Sequence, residues 1–377
     1  MAGKTVALVG TWNFRPGEKG IFVFDYDPET SGMTPIGYYD PEVSAGQQFY
    51  DPKRRVVYFV DECEGHPGEL PGGGYVRAYR LTQEGTLEFI NEQCVFMVKP
   101  AYVWLDPSGE YAMVAAHGGR NAISKVVYHA DGSFGSCVQY EDVGMALLRV
   151  KEDGSLGEVC DIVLHQGITP LKTQVHAHLH SVYGSPDGEI YYACDKGLDM
   201  IYSYKIDRER GKLIRMAEKK MDYATAPRYG AFHPSLPVFY ENNETSRFLF
   251  AFRYDKNSGQ LIEIAKVSLC EDEEISPSDI VVSPDGKYLY ASVRKVNKIA
   301  VFALDQQGIP EKIQEFNSVG SARGLALSPD GRFLLGACDA TNEVRSFVIG
   351  ADGTLKDLGL SVPAAHAANI QLIEIES

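Results

Sequence analysis

The sequence predicts an all-β protein: a closed ring of seven sheets, each a blade of four antiparallel strands, the architecture of a seven-bladed β-propeller. Three observations carry this. A Pro-containing turn recurs along the chain. Short strand-like segments follow each recurrence in the same order. The two chain ends together supply the strands of one further blade.

The turn reads Asp51-Pro52, Asp106-Pro107-Ser108-Gly109, Ser185-Pro186-Asp187-Gly188, His233-Pro234-Ser235, Ser283-Pro284-Asp285-Gly286 and Ser328-Pro329-Asp330-Gly331. Proline fixes φ, Asp bonds its own backbone, and Gly takes the positive φ that closes the turn. Apolar strands flank it, such as Ile280–Val282 before and Lys287-Tyr-Leu-Tyr-Ala-Ser after. A third strand alternates aromatic and aliphatic residues, as in Ile201-Tyr-Ser-Tyr-Lys-Ile and Phe248-Leu-Phe-Ala-Phe-Arg-Tyr. A polar turn (Asp153-Gly154, Asn257-Ser258-Gly259, Asp352-Gly353) then leads to a fourth.

The prolines are spaced by 55, 79, 48, 50 and 45 residues. Six units account for residues 45 to about 363. Thr5–Thr11, Gly20–Asp25 and Thr34–Tyr39 add three strands, and Ala368–Ile375 adds a fourth, so both termini share the closing blade. Such closure removes the exposed sheet edges of the ring. The whole chain, 1–377, is therefore one domain. Its long interval marks an insertion at about 118–143 in the third blade, counting the closing blade as the first. A second, Gly-rich loop spans Glu64–Gly74.

The composition narrows the function classes. Lys plus Arg is 36 and Asp plus Glu is 51, a net charge of −15. That field disfavours nucleic acid and anionic membrane as partners. Any small anion would need locally clustered cations. The 7 cysteines are scattered with no C-x-x-C pair, which argues against a zinc ribbon or a disulfide scaffold. No apolar run has the length of a membrane span. The N-terminus runs straight into a strand-like segment without room for a signal peptide, and the expectation is a cytoplasmic protein. Nothing excludes a homo-oligomer.

Propellers gather function at one mouth of the axial channel. Two positions per blade reach it: residues just before the first strand and just after the second. The first class contains Gln47, Tyr102, His178, Arg228-Tyr229, Ser278-Asp279 and Arg323. The second contains Asp61-Glu62, His117, Asp195-Lys196, Asn243-Glu244, Arg294 and Asp339. Both are rich in ionisable groups, which points to an active site. The densest cluster is Gln174-Val-His176-Ala-His178-Leu-His180. At period two, three imidazoles on a strand face one side. One would serve as a general acid or base. Metal binding and a hydrogen-bonded structural role are the alternatives, although three imidazoles on one flat strand rarely converge on an ion. No metal and no cofactor is implied. Gly72-Gly73-Gly74 and Gly118-Gly119 do not sit between a strand and a helix, so neither reads as a phosphate loop.

On these residues the chain resembles the seven-bladed propeller lactonases, which include bacterial propeller 6-phosphogluconolactonases and fungal carboxy-cis,cis-muconate cyclases. The resemblance runs the length of the chain, outside the insertion. Gly10-Thr11, Asp61-Glu62, His178-Leu-His180-Ser181, Pro227-Arg228, Asn243-Glu244, Arg294 and Arg323 carry it. The family's Pro-His-Ala-His stands here as Ala177-His178-Leu179-His180, and its Gly-Pro-Arg-His as Ala226-Pro227-Arg228-Tyr229. The resemblance implies a catalytic set of His178, Arg228, Glu244 and Arg294. Around it, His176, His180, Gln174, Tyr229, Asp61, Glu62, His117, Asp279 and Arg323 are the expected substrate-binding residues. The implied substrate is a small anionic lactone or its open-chain acid. Hydrolysis needs a base for water and cations for the oxyanion, which suits His178 with Arg228 and Arg294. The same groups would serve a lactonising cyclase or isomerase. A non-catalytic scaffold that binds protein partners is the reading from another class.

Overall fold

In a computed structural model, residues 4–12, 19–65, 72–169, 176–318 and 320–375 are described. Among them every regular element is a strand, and seven four-stranded antiparallel sheets form the ring. Blade 1 is the closing blade: Lys4–Thr11, Ile21–Tyr26 and Met33–Tyr39, with the C-terminal Ala367–Ile375 as its innermost strand. Each later blade runs outward from its first strand. The innermost strands are Gln48–Asp51, Pro100–Leu105, Leu179–Gly184, Pro227–Phe232, Ser276–Val282 and Ala322–Leu327 for blades 2 to 7.

The recurring turn forms as its chemistry demands. In Ser185–Gly188 the Gly188 N–H donates to the Ser185 carbonyl at 2.7 Å, and Asp187 accepts the Ser185 hydroxyl. Gly188, Gly286 and Gly331 have φ of 70°, 72° and 71°, where any side chain would be strained. The second strand of each blade, counted from the axis, is buried on both faces. Val56–Asp61, Tyr111–Ala116, Tyr191–Asp195 and Phe333–Cys338 show no exposed residue. That is why they read as continuous apolar runs rather than alternating ones.

Closure is by an antiparallel ladder from Lys4↔Ile375 to Gly10↔Asn369. The insertion is a hairpin, Ala122–Tyr128 paired with Phe134–Tyr140, that forms a separate two-stranded sheet. It ends one residue before the sequence reading placed its end, because Val143 pairs with His165 as the first residue of the blade's third strand.

One feature of the innermost strands positions the side chains at the mouth. At their mouth ends in six blades, the register to the second strand slips. In blade 4 Leu179 faces Asp195 and Ser181 faces Cys194, so His180 is the extra residue. Ala101, Arg228 and Arg323 hold the same place in blades 3, 5 and 7, and Ala368 in blade 1. In blade 6 Ser278 and Asp279 share the place. A bulge leaves its residue out of the ladder and re-aims its side chain.

Ile373 is 2% exposed in the core between blades 1 and 2. Ile373→Ala should cost about 2–5 kcal/mol, read as a lower urea midpoint with an unchanged transition slope. A free-energy change near zero would mean the C-terminal strand does not close the ring.

Candidate functional site

The bulged residues and the residues leaving the second strands meet at one mouth. They enclose a cavity of about 580 Å³. Bulges contribute Ala101, His180, Arg228 and Arg323. Second-strand exits contribute Trp12, Glu62, His117, Lys196 and Glu244, with Arg294 from the end of its strand. Lys99 precedes the innermost strand of blade 3, and Gly118 to Asn121 come from the base of the inserted hairpin.

The described lining holds six cations, Lys99, Arg120, Lys196, Arg228, Arg294 and Arg323, against two carboxylates, Glu62 and Glu244. In a chain of net charge −15 this is a concentrated reversal of sign. Arg228 is 1% exposed. A guanidinium taken this far from water must be paired. It donates to Ser278 Oγ at 3.0 Å, lies 3.4 Å from Glu244 Oε2, and stacks on the Tyr229 ring at 4.3 Å. Lys196 Nζ donates to the same Glu244 oxygen at 2.7 Å. Burial pushes the Glu244 carboxyl up, but Lys196, Arg228 and Arg294 outweigh it and hold it well below its ordinary range. Burial, with Arg228 and Arg323 nearby, pushes Arg294 down, and its guanidinium is braced on Ser276.

The opposite wall is built differently. Glu62 accepts the Trp12 indole N–H, and Arg323 lies over the Trp12 ring at 4.5 Å. A Cβ on Gly46 would stand 2.1 Å from Glu62 Oε1, so only glycine lets the carboxyl seat there. Burial pushes Glu62 up to about 7, against the pull of Arg323, the indole N–H, Arg228 and Lys196.

Of the expected catalytic set, the structure brings Arg228, Glu244 and Arg294 together and sets His178 behind them. His178 lies before the strand that begins at Leu179, in an adjoining depression of about 240 Å³ shared with His117, Arg120, Lys196 and Glu244. Its Nδ1 meets the His117 carbonyl at 2.8 Å, and its pKa falls to about 4, chiefly through burial. The bulge explains the difference: it turns His180 into the mouth, so the period-two expectation for the three histidines fails. His176 is further back, stacked on Tyr140 of the hairpin at 4.5 Å and 3.1 Å from the Gly119 carbonyl.

The remaining expected residues divide as well. Glu62, His117 and Arg323 line the cavity. Asp61 does not: it accepts the Ser44 N–H and pairs with Arg77, holding the loop that presents Glu62. Tyr229 and Asp279 line the axial channel beneath. Asp279 accepts the Leu325 and Ile280 N–H groups, and burial pushes it up to about 6. Tyr102, read as a mouth position, lines the channel too, since Ala101 holds the bulge. Gln174 lies outside the described residues. Among those residues, no three His, Cys, Asp or Glu side chains are grouped to hold a metal ion.

The sequence reading passed over Trp12, Lys99, Arg120 and Asn121. Trp12 had a usable signal, because it leaves the second strand of blade 1 as Glu62 leaves that of blade 2. Lys99 and the hairpin residues sit on irregular backbone with no repeat to locate them. The hairpin base is fixed by Glu141, which accepts the Gly119 N–H and the Asn121 amide.

A ring of β-sheets whose strand ends converge on one cation-lined cavity defines a propeller with a polar pocket at its mouth. The chain belongs to the family described as "Lactonase, 7-bladed beta-propeller", whose sequence profile matches residues 6–372. It is 26% identical over 312 residues to the 6-phosphogluconolactonase of Bacillus subtilis (strain 168), covering 80% of this chain and 78% of the relative. It is 24% identical over 306 residues to that of Formosa agariphila, covering 79% of each. Among solved structures, the Pseudomonas aeruginosa periplasmic gluconolactonase superposes with a TM-score of 0.86 at 24% identity, covering 99% of this chain and 100% of that one. This last likeness establishes the fold.

Replacing residues 120–141 by a short Gly-Ser link should leave the thermal midpoint little changed, since most of the hairpin's residues are exposed. It should raise KM for an anionic substrate on the order of tenfold by removing Arg120 and Asn121. An unchanged KM would show that the hairpin plays no part in the cavity.

Proposed function

We propose that the chain hydrolyses a small anionic lactone of the 6-phosphogluconolactone class. The observation that carries this reading is the buried Arg228–Glu244–Lys196 cluster with Arg294 beside it. Arg228 and Lys196, braced on Glu244, and Arg294, braced on Ser276, are preorganised, so they need little rearrangement as charge develops on a substrate. Glu244, held ionised, orients Arg228 and Lys196. Arg294 and Arg323 approach from the neighbouring blades. A rigid guanidinium fork matches the two oxygens of a phosphate or carboxylate.

In lactone opening, charge accumulates on the carbonyl oxygen as water adds. Arg228 and Lys196 face that oxygen as donors, and the substrate's anionic group sits on Arg294 and Arg323. His180 takes the place that sequence reasoning gave to His178. Burial and the nearby Arg228 and Lys196 push its pKa well below the ordinary value. It is therefore a neutral imidazole, suited to hold the attacking water by a hydrogen bond. Among the described residues the lining holds no large apolar side chain other than Trp12, which also favours a polar small molecule over a protein partner. Ring closure by a muconate-type acid would draw on the same cations, and the assay below separates the two directions.

The test is turnover of 6-phosphogluconolactone, its unphosphorylated counterpart and carboxymuconate. The phosphorylated lactone should be opened with the highest kcat/KM. Arg228→Ala or Arg294→Ala should lower kcat about 10²–10³-fold, and added chelator should leave it unchanged. Equal turnover of charged and uncharged lactones, or carboxymuconate as the only substrate consumed, would overturn the reading.

A further inference from the structure

The two cavity carboxylates are not equivalent. Glu244 is bonded to Lys196 and in contact with Arg228, and both cations would have to be abandoned for it to take a proton. Glu62 is bonded instead to a neutral indole, with Arg323 on the face of that indole. Its other oxygen packs against Gly46, and the carboxyl still lines the cavity. The imidazoles are poor proton acceptors here. His117 has its Nδ1 on the Gly118 carbonyl, and His178 has its Nδ1 on the His117 carbonyl. A carbonyl only accepts, so Nδ1 carries the hydrogen on both rings and Nε2 is the nitrogen left to accept. Burial and Lys196 hold both rings, and His180, in the neutral form.

We propose that Glu62, seated by Trp12 and Gly46, is the catalytic residue that carries the proton in lactone opening, with Trp12 as its positioning residue. The inference rests on the lactonase reading. As the water oxygen bonds to the carbonyl carbon, one water proton passes to the Glu62 carboxylate. As the bond from that carbon to the ring oxygen breaks, the same proton passes to the ring oxygen, which leaves as a hydroxyl. The new carboxylic acid then ionises into solvent. Glu62 ends as it began, and no electrons are exchanged with a third party.

The charged groups facing Glu62 are Arg323 from blade 7, Arg228 from blade 5 and Lys196 from blade 4. A change of rate near neutrality is assigned to Glu62 by comparing wild type with Glu62→Gln, because the substrate phosphate titrates identically in both. The shift of Glu62 to about 7 puts it where a proton carrier works best at neutral pH. Two carboxylates pushed apart by their surroundings, one held ionised and one poised to exchange, are the pattern of an acid/base site.

The experiment is the pH profile of kcat/KM for 6-phosphogluconolactone in wild type and in the Glu62→Gln, Trp12→Phe and His180→Gln variants. In the wild type kcat/KM should rise with pH through about 7, because the free enzyme must hold Glu62 ionised. Glu62→Gln should lower kcat about 10²–10⁴-fold and abolish that limb. Trp12→Phe removes a hydrogen bond to the ionised form and should move the limb to higher pH, an effect that mere loosening of the wall would not produce. His180→Gln should lower the rate and keep the limb. Thermal midpoints give a second reading, independent of activity. A carboxyl whose folded pKa lies above its unfolded value stabilises the fold below the unfolded value, and loses that stabilisation as pH rises through the folded value. Wild type should therefore lose stability relative to Glu62→Gln between about pH 5 and 8.

Wild-type turnover with an unaltered rate and limb in Glu62→Gln would overturn this inference and leave the lactonase reading standing. Loss of the limb in His180→Gln alone would move the proton to the imidazole. A wild type inert toward every lactone would sink both readings together. If Glu62→Gln fails to fold, the Trp12→Phe limb decides, and a limb that stays in place overturns the proposal.

Discussion

The site depends on one backbone device, the extra residue at the mouth end of six of the seven innermost strands. A strand in unbroken register would send alternate side chains into the two faces of its blade, where blade packs on blade. The bulge spends one residue outside that alternation and points it at the axis. His180, Arg228 and Arg323 reach the cavity in this way, and the residue after each is returned to the ladder. The same geometry locks the blades together. Ser181 Oγ donates to the Arg228 carbonyl, and Ser278 Oγ to the Arg323 carbonyl, at 2.6 and 2.7 Å. The bulges of Arg228 and Arg323 are therefore each held by the blade before, and these cavity side chains stand on bonded backbone rather than on loose loops. Such support fixes a site without rearrangement during reaction.

The electrostatics follow from that placement. Charges delivered by neighbouring blades are forced within bonding distance in a region largely shielded from water. Where an anion meets several cations, as Glu244 does, it is locked in its charged form. Where an anion meets a neutral donor, as Glu62 does, burial prevails and it becomes titratable. Asp195 shows the supporting layer. Its Oδ1 accepts the backbone N–H groups of His178, Gly197 and Leu198, while Oδ2 holds His165 at 2.8 Å. This fixes the turn from which Lys196 extends.

Much of the architecture was legible because repetition amplifies a weak local signal. One Ser-Pro-Asp-Gly turn says little, but six comparable turns at blade-length spacing locate the strands around them. The unpaired apolar segment at the C-terminus then had one place to go. The ring of second-strand exits was legible for the same reason, and Glu62, His117 and Glu244 all stand where that register puts them. The bulge was not legible, because nothing in Ala177-His178-Leu179-His180 marks which residue leaves the ladder. Alternation points equally to His178 and His180, and tertiary contact with Arg228 and Tyr229 settles it. Asp61 and Glu62 pose the same problem, with adjacent carboxylates of which one binds backbone and the other faces the cavity. Trp12 was missed because an indole is not an ionisable group, although its N–H seats Glu62 at the cavity wall.

As a lactonase, the protein would receive the anionic lactone and its product in the mouth cavity, where Arg228 and Lys196 are braced on Glu244. A crystal structure of the protein with 6-phosphogluconate tests it most directly. The sugar acid is expected inside the cavity, its phosphate on Arg294 and Arg323 and its carboxylate between Arg228, Lys196 and Glu62. Density for the ligand at the opposite mouth of the channel, or in the cavity with its phosphate turned away from every guanidinium, would contradict it.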